Sequence, residues 1–191
     1  EMDGILLVNK PAGMTSHDVV NRMRKILHTK KVGHCGTLDP DATGVLVLCI
    51  GKATKALQFL MSETKVYQAT LFLGTATDTY DSGGQIMEEK AFHGVRDVEE
   101  TLQSFIGKQQ QIPPIYSAIK VHGKKLYEYA RNQEHVDIQP RTIMIEKIEL
   151  ISQQDQSITF QVKCSKGTYI RSLCVDIGKK LGYPAHMTHL I

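Results

Sequence analysis

The sequence predicts an α+β domain built on a mixed or antiparallel sheet flanked by helices and loops. Three observations predict it. Short apolar or β-rich runs recur along the chain, at 4–9, 45–50, 65–73, 115–119, 142–151 and 156–164. Segments with helical spacing of apolar residues lie between and after them. No internal repeat, GxGxxG or GxxxxGK is present, so nucleotide-cofactor readings lack support.

The elements follow in order. Gly4 to Asn9 reads as a strand, stopped by the turn Lys10-Pro11-Ala12-Gly13. Ser16 is the expected N-cap of a helix with Val19, Val20, Met23, Ile26 and Leu27 on its apolar side. Gly33 to Gly44 reads as a loop leading into a buried strand, Val45 to Ile50. Ala53 to Met61 has helical spacing, with Ala56, Leu57 and Leu60 inward; Lys65 to Leu73 is a strand and Gly74 to Gly84 a loop. A helix is predicted from Val95 to Ile106, ended by Gly107, and Gln109 to Pro114 breaks structure before a strand, Ile115 to Ile119. Leu126 to Arg131 is a helical turn. Thr142 to Ile151 and Gln156 to Cys164 are neighbouring strands joined by a hairpin loop, and a last helix runs from Thr168 to Leu181, closed by Gly182 and Pro184.

The length of 191 residues suits a single domain, 1–191, with room for a core. No apolar run reaches the ~18 residues of a membrane span, and the first residues do not read as a signal peptide, so a cytoplasmic protein is expected. The net charge of +3 is compatible with an RNA partner without arguing for one. Cys35, Cys49, Cys164 and Cys174 include no CxxC pair, and His186 and His189 lack a nearby acid or Cys partner. No metal and no cofactor is expected.

The segment Gly33-His34-Cys35-Gly36-Thr37-Leu38-Asp39-Pro40-Asp41-Ala42-Thr43-Gly44 concentrates the chemistry. A polar loop pinned by Gly and Pro against a buried strand can present a carboxylate at a fixed angle. Asp-Pro-Asp with a following Gly is equally ordinary turn chemistry, and spacing alone leaves both readings of Asp39 open.

This segment resembles the GHxGTLDPxATG motif of the TruB family of pseudouridine synthases, in which the Asp is catalytic. Further segments are similar to the family: Lys65-Val66-Tyr67-Gln68-Ala69 to KxYxA/V, Asp78-Thr79-Tyr80-Asp81 to TDTxD, and 113–127 to PPxYSAxKxxGxxxY. Cys164 to Leu173 resembles (S/C)xGTYIRSL, and Lys10-Pro11-Gly13 and the closing His186 to Leu190 match family landmarks. The resemblance implies a pseudouridine synthase-like fold and conversion of the T-loop uridine, position 55 of tRNA, to pseudouridine without a cofactor. It implies catalytic roles for Asp39, Tyr67 and Arg171, with Arg171 the partner of Asp39. It also implies substrate contacts from His34, Tyr169, Leu190, Lys10, Lys31 and Lys120.

Each residue has an ordinary alternative: Tyr67 and Tyr169 as packing residues, Arg171 as a surface charge, His34 as a polar loop residue and Leu190 as core. The expected partner is the tRNA T-arm, bound by a monomer. The alternatives are the guide-RNA-dependent branch, which shares HxGTLDP, and an inactive RNA-binding or RNA-folding module. Family members continue beyond the HMTHL segment through more of the catalytic domain and usually a PUA module. The chain is therefore expected to be a catalytic domain short of its C-terminal end.

Overall fold

Gly4–Lys10 (β1), Val32–Cys35 (β2) and Gly44–Ile50 (β3) form an antiparallel sheet in the order β1-β3-β2. Together with the helix Ser16–Ile26 (α1) and a 3-10 turn, Gly51–Ala56, they make the first of two compact units. The computed structural model describes residues 2–57 and 64–191. Its first unit is Glu1–Glu63 with His189–Ile191, and its second is Thr64–Thr188.

In the first unit, Val19 and Val20 of α1 close over Val32, Leu46, Leu48 and Ile50, with Leu6, Val8, Met14, Met23 and Leu27 around them. The cap of α1 is Thr15 rather than Ser16. Thr15 and Asp18 form a capping box, which leaves the Ser16 hydroxyl for another partner. Ile26, expected inside, lies at the edge of the apolar stripe in the last helical turn and is 59% exposed. Val45, expected to be buried, is 64% exposed, because β3 alternates as far as Val47 and is wholly buried only from Leu48. β2 lies where a loop was expected; its strand character comes from pairing His34 with Leu48, which no local pattern announces. The predicted helix 53–61 begins as the 3-10 turn, and its remainder from residue 58, Leu60 included, lies outside the described residues.

The second unit holds a five-stranded sheet. Its strands are Thr64–Leu73 (β4), Gly107–Gln111 (β7), Arg141–Gln154 (β10), Ser157–Ser165 (β11) and Ala185–Leu190 (β12), in the order β12-β4-β11-β10-β7. Two small hairpins, Thr75–Thr77 with Ile86–Glu89 (β5, β6) and Lys120–Val121 with Lys124–Lys125 (β8, β9), project from it. The β10–β11 hairpin turns at Asp155, which adopts φ 49°, and its pairing is shifted by bulges near 146 and 151. One face of the sheet carries Ala69, Leu71, Leu73, Ile143, Ile145, Ile148, Ile158, Phe160, Val162 and Cys164, all buried. The helices Val98–Gln103 (α2) and Ile170–Leu181 (α4) pack on this sheet through Leu102, Leu173, Cys174 and Ile177. A third, Leu126–Arg131 (α3), follows β9. Gly182 ends α4 as expected, in the left-handed conformation at φ 93°.

Several expectations change in this unit. The helix predicted for 95–106 is only Val98–Gln103, and Gly107 starts a strand instead of merely ending a helix. That strand, Gly-Lys-Gln-Gln-Gln, has no apolar alternation; it forms because each residue pairs with one of Arg141 to Ile145. Residues 115–119 are not a strand. Their carbonyls turn toward α3: Ile119 accepts from Leu126 N–H at 2.8 Å and Ser117 from Tyr127 N–H at 3.0 Å. β5, β6 and β12 are likewise legible only from their partners.

Candidate active site

The loop carrying Asp39 is held on both sides of that residue. On one side, the Ser16 hydroxyl accepts from Leu38 N–H at 3.0 Å and lies 3.2 Å from the Leu38 carbonyl. On the other, the Pro40 carbonyl accepts from Gly13 N–H at 2.8 Å and from the Lys10 ammonium at 3.0 Å. Asp39 also begins a turn closed by Ala42 N–H on its own carbonyl at 2.9 Å, with Pro40 at the position that favours a fixed φ. The turn-former reading and the functional reading are thus compatible: the backbone makes the turn while its neighbours are anchored. The carboxylate sits half-buried on a backbone with little freedom to move.

Lys10, expected at the substrate, is engaged by the backbone around the loop. Its side chain is 0% exposed and its ammonium donates to the carbonyls of Pro11 at 2.8 Å, Met14 at 2.7 Å and Pro40 at 3.0 Å. An ammonium has three donors, so the turn 11–14 and the Asp39 loop use all of them. Burial pushes the Lys10 pKa down, while the negative charges of Asp41 and Asp39 oppose that shift. The cation therefore contributes positive potential beside the loop as well as its hydrogen bonds.

Other expected residues of the first unit lie nearby. His34, on β2, is 2.8 Å through Nδ1 from the Gly36 carbonyl; a carbonyl only accepts, so Nδ1 carries the proton and Nε2 is the acceptor in the neutral ring. Leu190 is buried, and its carbonyl accepts from Thr43 N–H at 3.3 Å at the far end of the same loop. Lys31 is exposed.

In the second unit, Tyr67 is half-buried on β4, opposite Val162 of β11. Arg171 lies in the first turn of α4 and is only 8% exposed, against the surface-charge alternative. Its guanidinium donates to the carbonyls of Thr79 and Tyr116, each at 3.1 Å. Thr79 is fixed in turn by a 2.5 Å hydrogen bond to the Asp81 carboxylate. Tyr80, between them, adopts φ 66°, costly for a bulky residue, and its carbonyl accepts from Met187 N–H at 2.8 Å. Burial and the charge of Asp176 push the Tyr80 phenol pKa up.

Tyr169 caps α4 without a side-chain cap bond, and its backbone is gripped by the Gln111 side chain, a residue the sequence reading passed over. Lys120 is exposed on the β8–β9 hairpin beside Lys125, with which it pairs. Close by, the Lys124 ammonium is 4.6 Å from the Tyr129 ring centre and the Arg131 guanidinium 5.1 Å from that of Tyr127. The expected Asp39–Arg171 pair takes one residue from each unit and belongs to the proposal below. Among the described residues, no group of three or more His, Cys, Asp or Glu side chains is arranged to hold a metal ion, and no helix is long and apolar enough to cross a membrane.

Residues 24–170 match the family described as TruB family pseudouridylate synthase (N terminal domain). The chain belongs to the TruB family. The matched stretch includes Asp39, Tyr67 and Tyr169, and Arg171 follows it directly. Curated TruB-family relatives include the tRNA pseudouridine synthase B of Oceanobacillus iheyensis, 55% identical over 99% of this chain and 64% of the relative. That of Bacillus subtilis is 53% identical over 100% of this chain and 64% of the relative. The chain therefore spans just under two thirds of the length of these relatives. Among solved structures, it is similar to a chain in the crystal structure of a Cbf5-Nop10-Gar1 complex, with TM-score 0.75 and 33% identity over 98% of this chain and 47% of that one. It is also similar to a chain of an H/ACA RNP bound to a substrate RNA containing 2'-deoxyuridine, with TM-score 0.69 and 30% identity over 98% of this chain and 45% of that one. The pseudouridine synthase-like α+β fold expected from the motifs is the fold observed.

Proposed function

We propose that this chain is the catalytic part of a tRNA pseudouridine synthase, acting on the T-loop uridine at position 55 as a cytoplasmic monomer without metal or cofactor. The observation that carries the reading is the Asp39 loop, anchored at Leu38 by Ser16 and at Pro40 by Lys10 and Gly13. Three residues anchoring the backbone on either side of one carboxylate suit a group that must meet a reacting carbon at a fixed angle.

The reaction breaks the N1–C1′ bond of uridine and forms a C5–C1′ bond, after which C5 loses its proton and N1 gains one. The ring is detached and rejoined within the pocket, so nothing is consumed. Asp39 serves as nucleophile at C1′ or as base at C2′; both roles need an ionised oxygen aimed at the sugar. Arg171 pairs with Asp39 and holds its carboxylate in one orientation, a task its planar fork performs better than an ammonium. Tyr67 stacks on the extruded uracil, His34 fills the place the base vacates, and Tyr169 and Leu190 line the pocket. Lys31 and Lys120 contact phosphates, and Lys10 acts through the loop it anchors.

The 50–55% identity to relatives named tRNA pseudouridine synthase B, against 30–33% to chains of the Cbf5-Nop10-Gar1 complex and the H/ACA RNP, supports the tRNA reading over the guide-RNA-dependent one. The test is pseudouridine formation in an unmodified T-arm hairpin mixed with protein alone. Product formation supports the reading. Absence of product, with hairpin binding intact, favours the inactive RNA-binding module.

A further inference from the structure

We propose that Gln111 is a positioning residue for this reaction, holding the start of α4 so that Tyr169 and Arg171 meet the substrate in one geometry. The inference rests on the reading above for those two residues. Gln111 is the last residue of β7, paired with Arg141, and its side chain is on the inward face at 3% exposure. Its Nε2 donates to the Tyr169 carbonyl at 3.0 Å, and its Oε1 accepts from Tyr169 N–H at 2.8 Å.

One side chain thus makes both bonds that a neighbouring strand would make to a single residue. Two such bonds fix the rotation of Tyr169 as well as its distance, whereas one would leave a pivot. The grip falls where the helix needs it. Tyr169 is the N-cap, its own side chain makes no cap bond, and its carbonyl already accepts from Leu173 N–H at 3.1 Å. The residue that follows β7 repeats the hold: Ser172 donates its hydroxyl to the Ile112 carbonyl at 2.9 Å. Residues 111 and 112 therefore bracket Arg171, with two bonds before it at Tyr169 and one after it at Ser172. The Arg171 guanidinium is then directed to the carbonyls of Thr79 and Tyr116, the latter five residues along the same segment as Gln111.

A buried amide carries a desolvation cost that an apolar residue of the same size would not, but the apolar residue would leave Tyr169 N–H without this acceptor. What the amide adds is orientation of the backbone between two proposed pocket residues. Displacing such a residue by about 1 Å can cost on the order of 100-fold in rate without changing what the RNA surface presents.

The experiment compares Gln111→Met, which keeps the volume and removes both bonds, with Leu102→Ala, which opens the core at α2 and leaves all three bracket bonds in place. Steady-state kinetics on the T-arm hairpin and thermal melts are read on both. For Gln111→Met we expect kcat to fall about 10- to 100-fold with KM within about threefold. Leu102→Ala should lower Tm at least as much with kcat nearly unchanged. In a cycle with Arg171→Lys, the two defects should combine less than additively, because both loosen the same group. Should Gln111→Met fail to fold, Gln111→Glu keeps the acceptor for Tyr169 N–H and sets a carboxylate against the carbonyl, and the same kcat-specific loss is expected. Unchanged kcat in a folded variant, or a loss matched by Leu102→Ala at equal Tm, overturns the positioning role. An inactive wild type instead overturns the reading on which it rests.

Discussion

Replacing Lys10 with Met separates two accounts of this lysine. The sequence resemblance assigns it to the substrate; the structure gives its ammonium to the carbonyls of Pro11, Met14 and Pro40. In Lys10→Met, Pro40 keeps the Gly13 N–H, but Pro11 and Met14 lose the ammonium. A buried carbonyl left unpaired costs about 1–3 kcal/mol. Part of that is offset because the variant no longer buries a charge, a cost visible in the lowered Lys10 pKa. Pro11 is exposed, so water can take its carbonyl, and a net loss of about 1–2 kcal/mol remains, which for a chain of this size lowers Tm by roughly 2–8 °C. Turnover should fall by about tenfold or less, because Ser16 and Gly13 still anchor the loop. Hairpin affinity should stay within about twofold, since a fully buried cation adds little to phosphate binding. Differential scanning fluorimetry, single-turnover kinetics and a binding isotherm on one preparation read all three. Unchanged Tm with a large loss of RNA affinity would refute the reasoning and return Lys10 to the substrate.

Three further outcomes are expected. Gly178→Ala should destabilise by about 1–3 kcal/mol by equilibrium denaturation, since an added Cβ would collide with the Ala185 side chain and meet the Tyr183 carbonyl at 3.0 Å; wild-type stability would show that the α4–β12 approach is looser. Asp176→Asn should raise Tm at pH 7.5 more than at the lowest pH where both proteins stay folded. Burial holds the Asp176 pKa above its ordinary value despite Lys179, so wild-type stability is greater with the acid protonated and declines as pH rises through that raised pKa; a gain confined to acid pH would contradict the sign. If the target uridine must leave its stack, the T-arm hairpin should be modified far faster than the same uridine in a perfect duplex, and equal rates would exclude extrusion as the limiting demand.

What the sequence made legible divides by how local the signal is. The β10–β11 hairpin, α1 and the end of α4 at Gly182 carry their own periodicity and punctuation, and they stand where expected within a few residues. β2, β7 and β12 do not, because their strand character is conferred by partners distant in sequence: Gln111 is a strand residue because Arg141 lies opposite. The same division holds at the candidate site. Asp39, Tyr67 and Arg171 are proposed through resemblance to family motifs, which record residue identity. Ser16 and Gln111 are polar residues of common type, and only the three-dimensional register shows one holding Leu38 and the other holding Tyr169. Lys10 is expected at the substrate from a family landmark, and its bonds to the carbonyls of Pro11, Met14 and Pro40 are visible only in three dimensions.

The central claim is that the anchored carboxylate of Asp39 performs the chemistry. Asp39→Asn keeps the size of the side chain and its place in the turn, and removes the ionisable oxygen. Pseudouridine yield and hairpin Kd should be measured together on the wild-type and variant proteins. The account predicts no turnover by the variant above the no-enzyme background, with Kd within a few-fold of wild type, because binding comes chiefly from phosphate and stacking contacts. Turnover by Asp39→Asn at a rate comparable to wild type would contradict it.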